Sequence, residues 1–190
     1  MLNVIKTINN IINDLNIDCW LYISKGYLKL ISVSTEVGSS TMPQKVNPIN
    51  FENSEGNICF ANAMLEGVTR KISISRLQRD LTDSTILRNL GSIMAYSLIA
   101  YTSTQKGIGK IEINHEIIKK DLHDNLSVLS EGIQTILRKH NISDAYEKLH
   151  ELTRDKRMNI TTLNRFISTL PQRVRIEVEQ LTLDNYTGYT

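Results

Sequence analysis

Apolar residues recur at three- and four-residue steps through most of the chain, the spacing that puts side chains on one face of an α-helix. Leu2, Ile5, Ile8, Ile12 and Leu15 predict a first helix ending near Ile17. Trp20, Leu21, Ile23, Tyr27, Leu28, Leu30 and Ile31 predict a second from Cys19 to Val33. Ile58, Phe60, Met64, Leu65 and Val68 mark a third over 51–72. A longer one starts near Asp83, with Asp83 or Ser84 as its N-cap, carries Ile86, Leu87, Leu90, Met94, Leu98 and Tyr101, and stops at Gly107-Ile108-Gly109. A helix of about twenty residues spans about 30 Å, which suits a rod of a bundle better than a piece of a small fold. Gly91, Ser92, Ala95, Ser97 and Ala100 allow another helix to approach it closely.

Beyond it, Asn114 reads as the cap of a helix over 116–139 with Ile117, Ile118, Leu122, Leu126, Leu129, Ile133 and Ile136 on one side. Ser143 caps 144–153, Thr161 or Thr162 starts 163–170, and Pro171 opens a last helix to about Leu181. The tail from Tyr186 to Thr190 is expected to fray. No stretch alternates as a half-buried strand does, so the expected class is all-α. The expected boundary near Gly107 to Asn114 separates bundle rods, residues 1–110, from a small helical domain, residues 111–190.

Composition changes this picture little. With 190 residues, 41% of them hydrophobic, and three prolines the chain has an ordinary globular balance. A net charge of +2, from 22 basic against 20 acidic residues, excludes a field strong enough to make nucleic acid or membrane the main partner. Cys19 and Cys59 fall in segments that read as buried, without CxxC spacing or a matching histidine pattern, so reduced core thiols, no metal site and a cytosolic setting are expected. Asn3, Lys6, Thr7, Asn9, Asn10, Asn13 and Asp14 interrupt the apolar start and exclude a signal sequence or membrane span there.

The candidate chemistry lies between helices, in Gly38 to Pro48, GSSTMPQKVNP. Gly38 and the Ser39-Ser40 pair loosen its first half, Pro43 and Pro48 stiffen its second, and Lys45 and Asn47 stand two apart with donors suited to a carboxylate. It reads as a binding loop, against the alternative of a polar surface turn.

This string resembles the signature loop of the fumarase/aspartase superfamily, lyases that break a C–N or C–O bond β to a carboxylate and release fumarate. The runs INFENSEGN at 49–57 and SRLQRDLTDSTILRNLG at 75–91 are similar to adenylosuccinate lyases. The likeness extends from the Trp20 helix to the Tyr186 tail and corresponds to the C-terminal part of a usual family subunit. It implies the later helices of a long central bundle followed by a small helical C-terminal domain. It also implies a cytoplasmic homotetramer whose active sites combine loops from several subunits. The implied substrates are small molecules: adenylosuccinate, giving AMP and fumarate, and SAICAR, giving AICAR and fumarate, in purine nucleotide biosynthesis. No metal or organic cofactor, nucleic acid or membrane is implied.

By the same resemblance Ser39 is the general base. A hydroxyl is a poor base unless its alkoxide is favoured, which Lys45 and the Gly38 turn provide on loop closure. Lys45 and Asn47 also stabilise the charge that spreads into the substrate carboxylate as the proton leaves. Ser40 completes the carboxylate contacts, Val46 is a further substrate contact, Glu52 orients the acid-side histidine, and Asn53 binds nucleotide. Apart from the resemblance, Glu52 is equally explained as an acidic residue favoured at a helix start. Arg79 and the run Ser84, Thr85, Ile86, Leu87, Arg88 are the remaining nucleotide contacts. With Arg76, which has no family match, Arg79 and Arg88 flank an expected helix N-terminus at Ser84-Thr85, an arrangement suited to a phosphate.

Two departures matter. Gln44 stands where histidine is frequent, and glutamine there is familiar from argininosuccinate lyases, the nearest enzymatic alternative. His115, His123, His140 and His150 all lie in the expected C-terminal helices, so the general acid is expected outside this chain, which alone is expected to be inactive. A non-catalytic, truncated helical assembly module is therefore a second reading. An RNA-binding module using Arg76, Arg79, Arg88 and Lys119-Lys120 is disfavoured by the balanced charge and the lack of a stacking platform near those arginines.

Overall fold

The computed structural model describes residues 1–31, 47–77, 80–153 and 158–187. They form nine α-helices and one two-stranded ribbon, an all-α fold in two compact units, Met1–Asn114 and His115–Thr190. None of these helices is long and apolar enough to cross a membrane.

In the first unit, α2 (Ile49–Ile72) packs along both α1 (Leu2–Ser24) and α4 (Leu90–Ile108). Phe51, Ile58, Ala61, Leu65 and Val68 of α2 and Ile93 and Ala100 of α4 are buried. The end of α4 sits against Phe51: a Cβ on Gly107 would lie 2.8 Å from the ring's Cζ, so only glycine fits there without displacement. The short helix α3 (Thr82–Leu87) precedes α4, and the expected single helix from Asp83 is interrupted at Arg88-Asn89. Its caps are also corrected. Neither Asp83 nor Ser84 is the N-cap, because the helix starts at Thr82, whose N–H donates to Asp80 Oδ1 at 2.9 Å.

The expected helix from Cys19 to Val33 does not form as a separate element. Helix α1 runs unbroken through Ile17 to Cys19, ends at Ser24, and turns at Gly26, whose φ is 78°. Leu28–Leu30 is strand β1, antiparallel to β2 (Ile111–Ile113), with Leu28 opposite Ile113 and Leu30 opposite Ile111. Asn114 closes this junction: its N–H donates to Tyr27 O at 2.8 Å and its Nδ2 to Gly26 O at 2.9 Å. The inward face of α1 is also shifted from expectation. Ile8 and Leu15 are exposed, while Asn9, Asn16 and Cys19 are buried. Burial raises the Cys19 thiol pKa, reinforced by the Asp18 charge. Cys59, expected in the core, is exposed, because one residue past buried Ile58 the α2 helix has already turned that position outward.

The second unit contains α5 (His115–Asp124), a 3₁₀ turn (Leu126–Leu129), α6 (Ser130–Lys139), α7 (Ala145–Thr153), α8 (Ile160–Ser168) and α9 (Gln172–Glu179). The expected continuous helix over 116–139 breaks at Asn125, whose Nδ2 turns back to Asp121 O at 2.8 Å. Asn159, rather than Thr161 or Thr162, caps α8 by accepting from Thr162 N–H at 2.8 Å. Leu129, Ile133, Leu137, Leu163, Val174 and Val178 form the centre of this unit's core. Tyr186, expected to fray, packs against it. Glu177 of α9 accepts from Lys139 Nζ at 2.6 Å and pairs with His140 Nε2 at 2.8 Å, tying α9 to α6.

Candidate functional site

Two layers of buried polar side chains set how α1, α2 and α4 line up. Asn16 Nδ2 donates to Ser54 Oγ at 2.9 Å, Thr104 Oγ1 donates to Asn16 Oδ1 at 2.8 Å, and Ser54 Oγ lies 2.8 Å from Thr104 Oγ1. With Ser54 as the donor of that last bond, the three groups form a closed ring. One layer away, Asn9 Nδ2 donates to Asn62 Oδ1 at 2.9 Å and to Ser97 Oγ at 3.2 Å, and the Tyr101 hydroxyl donates to Asn9 Oδ1 at 2.5 Å. Each group would be costly to bury alone, so only one register of the three helices satisfies both layers.

That register exposes one stripe of α2 beside its N-terminus. Ile49, Glu52, Asn53, Gly56, Asn57 and Phe60, with Tyr96 of α4, line a depression of about 510 Å³. Gly56 leaves the floor open, since an added Cβ there would meet nothing within 4 Å. Phe60, expected in the core, instead stacks on Tyr96 with ring centroids 5.8 Å apart at 24°, forming an aromatic wall. Asn57 Nδ2 donates to Asn53 Oδ1 at 2.6 Å and to Asn53 O at 2.8 Å, which holds the Asn53 amide with its oxygen toward Asn57. Trp20 Nε1 donates to Glu52 Oε1 at 3.0 Å across the α1–α2 junction.

Of the expected site residues, Glu52 and Asn53 are brought together on this stripe. Asn47 and Pro48 lie at its foot, where Pro48 O accepts from the N–H groups of Phe51 and Glu52 at 3.0 and 3.3 Å. Chain connectivity thus delivers the end of the Gly38 to Pro48 segment to the start of α2. Ser39, Ser40, Lys45 and Val46, with Gly38 and Gln44, lie outside the described residues, as does Arg79.

The described members of the expected phosphate cluster bond within their own segment. Ser84 Oγ donates to Leu81 O at 2.9 Å, and Arg88 Nε turns back to Ser84 O at 3.2 Å. Thr85 O accepts from Asn89 Nδ2 at 3.0 Å. Ile86 packs beneath against Leu65, Val68 and Ile93, while Leu87, Arg88 and Arg76 are exposed. The first amide of α3 already holds an anion, because the Asp80 carboxylate caps Thr82 and pairs with Lys71 Nζ at 2.9 Å. The Thr82 N–H and then Lys71 hold the Asp80 carboxyl well below the usual carboxylate range. A depressed folded-state pKa contributes stability that is present above the ordinary value of about 4 and lost as pH falls through the folded-state value. Asp80→Asn is therefore expected to lower the melting temperature by a few degrees at pH 7, the two proteins converging as pH falls from about 4 toward 2. An equal gap at both ends of that titration would exclude this account.

Sequence reasoning overlooked Trp20, Asn57 and Tyr96. Asn57 was accessible through helical spacing, standing four residues after Asn53. Trp20 and Tyr96 come from other helices, and no local pattern points to them. The four histidines all belong to the second unit. No group of three or more potential metal ligands occurs among the described residues.

Residues 75–187 match the family described as "Adenylosuccinate lyase C-terminal", and residues 1–63 match the family described as "Lyase". The chain is 50% identical to an adenylosuccinate lyase of Legionella pneumophila (strain Corby), covering 97% of this chain and 41% of the relative. It is 47% identical to one from Vibrio cholerae, covering 100% and 42%, and 45% identical to one from Escherichia coli K12, covering 99% and 42%. The chain spans about two fifths of the length of these relatives.

Proposed function

This chain belongs to the adenylosuccinate lyase family, and from that premise we propose that it supplies part of a lyase eliminating fumarate from adenylosuccinate, giving AMP, and from SAICAR, giving AICAR. The carrying observation is near-half identity along almost the whole chain, signature segment included. In this reading Ser39, assisted by Lys45, removes a proton from the succinyl carbon next to the carboxylate that receives the charge. The C–N bond then breaks, the C=C bond of fumarate forms, and the departing nitrogen is protonated by an acid outside these 190 residues. Ser40 and Asn47 hold the carboxylate, and Val46 is a further substrate contact; Asn53, Arg79 and the run from Ser84 to Arg88 hold the nucleotide; Glu52 orients the acid.

The assembly is a cytoplasmic homotetramer whose bundle rods pack across subunits. Helix α1 supports this: besides its inward seam it exposes Met1, Val4, Ile8, Ile11, Leu15 and Tyr22, a second row at heptad spacing. A helix that is apolar on two sides suits a rod between two neighbours.

The test is a fusion in which the preceding part of the Legionella relative is joined to this chain. Expected is fumarate release from adenylosuccinate and none from argininosuccinate, while the 190-residue chain alone releases none. A fusion that assembles yet turns over neither substrate would overturn the catalytic reading in favour of an assembly module.

A further inference from the structure

We propose that Trp20 is a positioning residue of this lyase, acting through Glu52; this rests on the catalytic reading of Glu52 given above. Glu52 lies in the first turn of α2, where Pro48 provides no side-chain cap, and its carboxylate is exposed. Attraction to the positive helix end favours a carboxylate there without fixing its rotamer. Fixation comes from another element: the Trp20 indole N–H occupies Oε1 and leaves Oε2 to orient an imidazole N–H. An indole has only two side-chain torsions and one donor, so it fixes a single carboxylate oxygen at small entropic cost.

The platform beneath is rigid. Asn16, one turn before Trp20 on α1, is buried and bonded to Ser54, and Phe51 beside Glu52 is buried under Gly107. Trp20 itself is 43% exposed in this chain, so its ring is not part of the buried core beneath. It is also the only tryptophan in the chain.

Two measurements test the proposal. In this chain, Glu52→Leu, which removes the acceptor, is expected to shift the emission maximum of Trp20, and an unchanged spectrum would deny the contact in solution. In the active fusion, Trp20→Phe keeps a ring but removes the N–H, and kcat is expected to fall by about tenfold with KM and melting temperature nearly unchanged. In a Glu52→Gln background the same change is expected to lower kcat by less than about twofold, because its effect passes through that carboxylate. A purely packing role would give the same loss in both backgrounds, and unaltered kcat in Trp20→Phe would overturn the proposal. Failure of the unsubstituted fusion to release fumarate would instead count against the catalytic reading.

Discussion

Replacing Ser39 by alanine in the fusion is expected to lower kcat by about a thousandfold or more while KM changes less than about threefold. The proton to be removed sits on carbon and is weakly acidic, so spontaneous ionisation is far too slow for turnover. A positioned base commonly contributes two to four decades, and in the proposed reading it acts with groups that stabilise the developing carboxylate charge. In the proposed reading alanine removes the base and leaves Ser40, Lys45 and Asn47 to bind the dicarboxylate, so the ground-state complex is expected to survive. Steady-state fumarate release gives kcat, and calorimetric titration with AMP checks that the nucleotide contacts persist. A fall of under about tenfold would remove Ser39 from its assigned role. Lys45→Met should follow Ser39→Ala in kcat and also weaken fumarate binding, since in the proposed reading the ammonium both favours the alkoxide and meets the carboxylate.

The elements that were legible are those whose local pattern carries the information. Helix α2 is an example: Ile58, Leu65 and Val68 are both helically spaced and buried. Helix α1 was legible in kind but not in orientation, for an identifiable reason. Its residues 2, 5, 9, 12, 16 and 19 and its residues 1, 4, 8, 11 and 15 form two interleaved rows with the same spacing. Asn9 and Asn16 make the inward row look solvated, so Ile8 and Leu15 are drawn to the wrong side. The β1–β2 ribbon was illegible because its pairing joins residues more than eighty positions apart, such as Leu28 and Ile113, in strands of three residues. At the candidate site, Glu52 and Asn53 could be found from the likeness to a lyase motif. The groups that hold them differ: Asn57 is local to α2, whereas Trp20 arrives from α1 and depends on tertiary register.

That register is the object of the second large effect. Asn16→Leu is expected to destabilise the first unit by about 3 kcal/mol, although leucine is close in size and more apolar. The substitution strips Ser54 Oγ of the amide donor and breaks the Thr104 bond to Asn16, leaving Thr104 Oγ1 the longer bond to Ala100 O at 3.2 Å, all inside a layer closed to solvent. Joint replacement, Asn16→Leu with Ser54→Ala and Thr104→Val, orphans none of the three and is expected to recover most of the loss, a non-additivity that direct contact predicts. Urea unfolding of the chain followed by helical circular dichroism measures both. A cost below about 1 kcal/mol for the single change, or a triple variant as unstable as the sum of its parts, would refute the ring as the source of stability. The stable triple variant carries a further consequence. One layer away Asn9 still bonds Asn62 and Ser97, so α1 keeps the same face toward α2 without the ring. Trp20 then still meets Glu52, and the fusion carrying all three changes should keep both its melting temperature and its kcat; a lost kcat at unchanged melting temperature would show that the ring alone sets the register.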